Sequence, residues 1–87
     1  MGPAKAERNF AKHRVRFAEA IPVFEDEYAI VIADDVSEPG ESRLVAIGMG
    51  ALMRVLVVVY CYRGEDIWII SARVSTAREL RQYEVKR

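Results

Sequence analysis

The chain has 87 residues, enough for one small domain around one core, and it reads as a single domain over 1–87. Hydrophobic residues make up 52% and charged residues 30%, with 5 Gly and 3 Pro, which excludes a disordered chain and collagen-like repeats. Thirteen basic side chains balance thirteen acidic ones, so no overall field points to nucleic acid or membrane, and the one cysteine, Cys61, excludes an internal disulfide framework.

Pro3 suits a first helical turn, where its missing N–H would lack a partner anyway. Ala6, Phe10 and His13 follow at i, i+4 and i+7, which predicts a helix to about His13, with Lys5, Arg8 and Lys12 placed around the rest of it. Phe17, Ala20, Ile21 and Phe24 repeat that spacing and predict a second amphipathic helix. Pro22 inside this pattern makes the helix start late or kink. Residues 28–33 read as a first strand, residues 34–42 (DDVSEPGES) as an acidic loop, and residues 43–48 as a second strand. Residues 54–62 show no polar alternation, so they predict a central strand covered on both faces. A tight turn at 63–65 leads into a last strand at 67–73. Thr76 and Glu79 form a capping box that opens a C-terminal helix, with Leu80 and Tyr83 on one face. Two helices, an antiparallel meander of three to four strands and a third helix make an α+β domain.

Residues 44–62 are nearly long enough to span a bilayer. Arg54 sits at their midpoint, where a charge costs roughly 2.5–3.5 kcal/mol on insertion scales. Gly48 and Gly50 interrupt the run, and β-branched residues crowd its second half, so two strands joined by a turn explain it better. No membrane partner is expected. No apolar leader or lipidation box is visible, and a lone cysteine fits a reducing compartment, so the expected location is cytoplasmic.

The balanced charge is segregated along the chain. Five basic residues and His13 lie between Lys5 and Arg16 against one acid, and seven acids without a base lie between Glu25 and Glu41. Such asymmetry can build a local positive surface. Metal chemistry finds no ligand set: one His and one Cys stand 48 positions apart, and the acids at 34, 35, 38 and 41 lack the spacing of a calcium loop. No phosphate loop, nucleophile elbow or dinucleotide fingerprint appears. Cofactors are therefore expected to be none. The remaining chemistry lies in Lys12, His13, Arg63, Arg73, Arg78, Arg81 and Tyr83. Each also has a bland reading: His13 as a core-edge histidine, Arg73 as a partner of Glu79, Trp68 and Tyr83 as core aromatics. Full pairing of the last two strands would also put Arg63 and Arg73 at opposite ends of the ladder, roughly 20–25 Å apart.

The order of motifs narrows the choice. PAKAERN at 3–9, Lys12 and His13 followed by Val15 and FAEA at 17–20, and VFED at 23–26 come first. RLVAIG at 43–48, the valines at 57–59 leading to Arg63, and IISAR at 69–73 follow, and Thr76, Glu79, Tyr83 and Glu84 close the series. Together these resemble the BrnT toxin family (DUF497) of type II toxin–antitoxin systems. The resemblance implies a RelE-like fold, a ribonuclease that works without a metal, an RNA substrate, and neutralisation by a BrnA-type antitoxin. Position by position it implies His13, Arg63 and Arg73 as site residues, with Glu79 and Tyr83 on the C-terminal helix. The chain departs from the family pattern at several places. Arg14 replaces a usual Gly, Tyr60 and Cys61 a common His-Thr, and Trp68 a common Arg, while Leu80 stands where an Arg often follows the Glu. Only two residues precede Pro3 where the family has an edge strand; the exposed ladder this would leave invites pairing with another chain, such as a homodimer.

A metal-free ribonuclease lets the ribose 2′-OH attack the adjacent phosphate, which requires a base, cationic donors and an acid. Arg63 and Arg73 are expected as phosphate clamps. His13 is the expected acid or base, with Tyr83, Lys12 or Glu79 as the second proton carrier. Lys12, Arg78 and Arg81 are expected to bind the RNA backbone. The rival reading is a catalytically silent relative that only pairs with an antitoxin.

Overall fold

The computed structural model describes residues 3–33 and 43–86, so the expected acidic loop at 34–42 lies outside the described residues. Helix α1 (Pro3–His13) has proline in its first position and ends where the sequence pattern places its end. It closes on Arg14, whose φ of 58° and N–H bond to the Phe10 carbonyl (2.8 Å) form a left-handed cap. Glycine adopts that backbone without steric cost, so Arg14 holds it at some strain. Helix α2 (Phe17–Ala20) is one turn long and passes into a 3-10 helix, Ile21–Glu25, with Pro22 at its start. The second helix therefore exists in a broken form, because proline cannot donate to the preceding turn and its ring clashes with it.

Four strands follow: β1 (Ile30–Ala33), β2 (Arg43–Met49), β3 (Val55–Arg63) and β4 (Asp66–Val74). They form one antiparallel sheet in the order β1-β2-β3-β4. Gly64, at φ 64°, makes the β3–β4 turn, with Arg63 opposite Asp66. Helix α3 (Ala77–Lys86) completes the predicted α+β order of three helices and four strands. Its capping box is formed: the Thr76 hydroxyl accepts the Glu79 N–H (3.3 Å), and the Glu79 carboxylate accepts the Thr76 N–H (2.8 Å).

The sheet buries both of its faces. On one, Val15, Phe17, Ala20 and Val23 pack against Ala46, Leu56, Val58, Tyr60, Ile69 and Ala72. On the other, Tyr83 of α3 packs against Ile47, Val55 and Val57. Strand β3 thus has core on both sides, as its unbroken apolar run requires. The buried Glu19 accepts Arg54 Nε (2.9 Å) and Nη2 (2.7 Å), tying α2 to the start of β3. Gly50 lets this corner close, since a Cβ there would stand 2.6 Å from Leu56 Cδ1 and 2.8 Å from the Glu19 carbonyl oxygen. Among the described residues no helix is long and apolar enough to cross a membrane. The 44–62 run is instead divided between β2 and β3.

Candidate nucleic-acid interface

Strand β4 is an edge strand, and α1 lies along it. The contact is made by Asn9, only 7% exposed, whose side chain acts as a short piece of strand. Its Nδ2 donates to the carbonyls of Ala72 (2.8 Å) and Val15 (2.9 Å), and its Oδ1 accepts the Ala72 N–H (3.0 Å). Covering an open ladder in this way protects a sheet edge. It also fixes the polar side of α1 beside β4. One residue further along, β4 bulges: Val59 pairs with Ser71 and Tyr60 with Ile69, leaving Ile70 as the extra residue. Bulges re-aim side chains at sheet edges.

A cleft opens where the helix meets the bulge. Among the described residues it is lined by Lys5, Arg8, Asn9, Lys12, His13, Ile70 and Ser71, with no acid. Lys12 and His13, singled out from the sequence, come together here. Lys5, Arg8, Asn9 and Ser71 are additions that sequence reasoning missed. A signal existed for three of them: positions 5, 8 and 12 form one i, i+3, i+7 stripe of a helix, and Asn9 is a weak helix former between apolar positions. Apart from Asn9 and the Arg8 Nε bond to the Ala4 carbonyl (3.3 Å), none of the cleft's charged side chains has an ion pair or hydrogen bond among the described residues.

The other predicted site residues take separate places. Arg73 stands two residues beyond Ser71 on the same face of β4, about 7 Å along the strand. Both arms of its guanidinium are held by Glu79, at 2.8 Å each, and Nη1 also donates to the Val74 carbonyl (3.3 Å). The Arg73 hydrogen bonds pull the Glu79 carboxyl down to about 2, with help from the Thr76 N–H and hydroxyl. At neutral pH Glu79 is a fixed counter-charge and accepts no proton. Arg73 thus pairs with Glu79, as the sequence suggested it could.

Arg63 lies at the far end of the hairpin. Register places Arg73 opposite Val57, six residues from Arg63 on β3 and on the same sheet face, so the two are roughly 20 Å apart. The two predicted clamps therefore start from opposite ends of the ladder, the separation that full pairing of the strands implied. Arg63 rests over the Trp68 indole, 4.6 Å from the ring centroid. Arg78 and Arg81 line a shallow groove on α3 with Gln82 and Val85, away from the α1 cleft. Tyr83 faces inward: it is 2% exposed, and its hydroxyl donates to Asp26 Oδ2 (2.5 Å), which also accepts the Met49 N–H (2.9 Å). Tyr83 thus ties α3 to Asp26, and it lies apart from the α1 cleft's lining.

Among the described residues no three His, Cys, Asp or Glu side chains converge as a metal-ligand group. Cys61 is buried, as expected for a thiol inside an apolar strand. Comparison with protein families gives a match over residues 2–79 to the ribonuclease toxin, BrnT, of type II toxin–antitoxin systems. Comparison with curated proteins gives no match.

Proposed function

The chain belongs to the BrnT family of ribonuclease toxins of type II toxin–antitoxin systems, and from that membership we propose that the cleft between α1 and β4 binds and cleaves RNA without a metal. In the cleavage the 2′-oxygen bonds to phosphorus and the bond from phosphorus to the 5′-oxygen breaks. The products are a 2′,3′-cyclic phosphate and a 5′-hydroxyl. One proton leaves the 2′-OH and one arrives on the 5′-oxygen. His13 carries one of these transfers, since imidazole exchanges protons near neutral pH. Lys12 beside it carries or electrostatically supports the other, because Glu79 is neutralised by Arg73 and Tyr83 is buried. Lys5, Arg8 and Lys12 hold the phosphate. Arg73 on one side of Ser71 and Arg63 on the other bind the flanking backbone, with Arg78 and Arg81 adding cationic surface on α3.

The observation that carries this reading is the convergence of Lys5, Arg8, Lys12 and His13 beside Ser71, with no acid in the lining among the described residues. A family of this kind implies an antitoxin partner. We assign that partner to the BrnA type, acting in the cytoplasm with an acidic segment that covers the same cations, so antitoxin and RNA exclude each other. Purified protein incubated with total RNA should cleave it equally with and without EDTA, and His13→Ala should lose at least 100-fold of the rate while remaining folded by circular dichroism. Full activity in His13→Ala removes the histidine from the mechanism, and inhibition by EDTA refutes the metal-free route. A second reading, a silent module that only binds its antitoxin, draws on the engagement of Arg73 by Glu79. Folded protein that binds antitoxin yet leaves RNA intact would establish it.

A further inference from the structure

The chain's single tryptophan belongs to neither core cluster. Trp68 is 37% exposed on β4, although burying an indole is one of the largest apolar gains a small domain can make. Its partner Arg63 has Asp66 directly opposite in the ladder, yet its guanidinium lies over the indole, 4.6 Å from the centroid. A guanidinium over a ring is held there by its charge and needs none of its five N–H donors for that contact. Arg63 makes no hydrogen bond or ion pair among the described residues, so those donors are available. Position completes the case. Trp68 pairs with Cys61 and Ser71 with Val59, so Trp68 stands about 7 Å along the sheet from the serine that lines the α1 cleft, and on the same face.

We propose that Trp68, held by Arg63, is a stacking platform for one unpaired nucleobase of the RNA, and that Arg63 binds the phosphate next to that base. The inference rests on the RNA-cleaving reading above and specifies its substrate as single-stranded. Bases in a duplex are already stacked on their neighbours, whereas an unpaired base offers a free face to an aromatic ring. The cations of the cleft would follow the backbone while the indole takes a base one step away. This combination of charged groove and aromatic platform is how single strands are bound with little sequence preference.

The lone tryptophan also reports on its own occupancy. An unstructured 2′-O-methyl RNA decamer, which lacks the attacking hydroxyl, is titrated into the full chain and read by indole emission. The same strand carrying a terminal dye is read by anisotropy, alone and annealed to its complement. Saturable quenching by the single strand and little by the duplex is expected. Trp68→Leu should weaken single-strand binding roughly tenfold or more while leaving duplex binding unchanged, and Trp68→Phe should keep most of the affinity. Binding by anisotropy without any change in indole emission, or equal affinity in Trp68→Leu, overturns the platform and leaves the RNA-binding reading standing. No binding of either RNA overturns both.

Discussion

The attachment of α1 to the sheet through Asn9 gives the most direct test of how the interface is built. Asn9→Ala removes three hydrogen bonds at once and leaves the Ala72 N–H and the Ala72 and Val15 carbonyls without those partners. Both of these residues have no exposed surface. At about 0.5–1.5 kcal/mol per bond, with a further cost for buried unpaired groups, the loss comes to roughly 2–4 kcal/mol. For a domain this size that lowers Tm by on the order of 10–25 °C. It is a large share of a total stability of roughly 5–15 kcal/mol. Urea unfolding followed by far-UV circular dichroism measures it. Asn9→Asp sharpens the test, because a carboxylate can still accept the Ala72 N–H but presents a charge to two carbonyls that need a donor. At neutral pH it should be at least as unstable as the alanine variant, recovering in part as acid protonates the new carboxyl and restores one donor. A loss below about 1 kcal/mol in Asn9→Ala with an unchanged m-value, or an Asn9→Asp variant as stable as the parent at pH 7, refutes the reasoning.

Three further outcomes follow from the same geometry. Arg14→Gly should raise stability by about 1 kcal/mol, because the left-handed backbone at φ 58° favours glycine; an unchanged or lower Tm would show that the Arg14 and Arg16 contacts with the Phe10 ring outweigh the strain. Glu79 titrates at about 2 in the fold against an ordinary 4.5, so the Arg73–Glu79 pair stabilises fully above 4.5 and its contribution fades as pH falls towards 2. With both side chains partly open to solvent, Glu79→Gln should cost about 1 kcal/mol above pH 4.5 and converge with the parent near pH 2 in acid-unfolding curves; parallel curves would sink that assignment. Tyr83→Phe should lose about 1–2 kcal/mol of stability from its bond to Asp26 while RNA cleavage per folded molecule stays the same, and a tenfold drop in that rate would return Tyr83 to proton transfer.

Most of the architecture is legible in local signals. The apolar run at 54–62, the glycine turn after Arg63 and the Thr76–Glu79 box each state their element, because each solves a problem within a few residues: burial on both faces, a left-handed turn, an open helix end. The placement of the cations is not legible in that way. The separation of Arg63 and Arg73 does follow from full pairing of the last two strands, but the bulge that inserts Ile70 beside the cleft is set by packing across the sheet. The docking of α1 depends on a contact between residues 63 positions apart. The burial of Tyr83 likewise depends on a partner, Asp26, that lies 57 positions away.

The useful distinction among the basic residues is therefore between those whose charge the fold already uses and those it leaves to the surroundings. Arg54 is spent on the buried Glu19, and Arg73 is held at both arms by Glu79. Lys5, Lys12, His13, Arg63, Arg78 and Arg81 have no ion pair or hydrogen bond among the described residues. Self-repulsion among such groups costs stability that a purely structural surface would relieve with nearby acids. Among the described residues, no acid lines the cleft that holds Lys5, Arg8, Lys12 and His13. That concave basic surface is what the proposed RNA cleft rests on, since a polyanion is the ligand that relieves such repulsion.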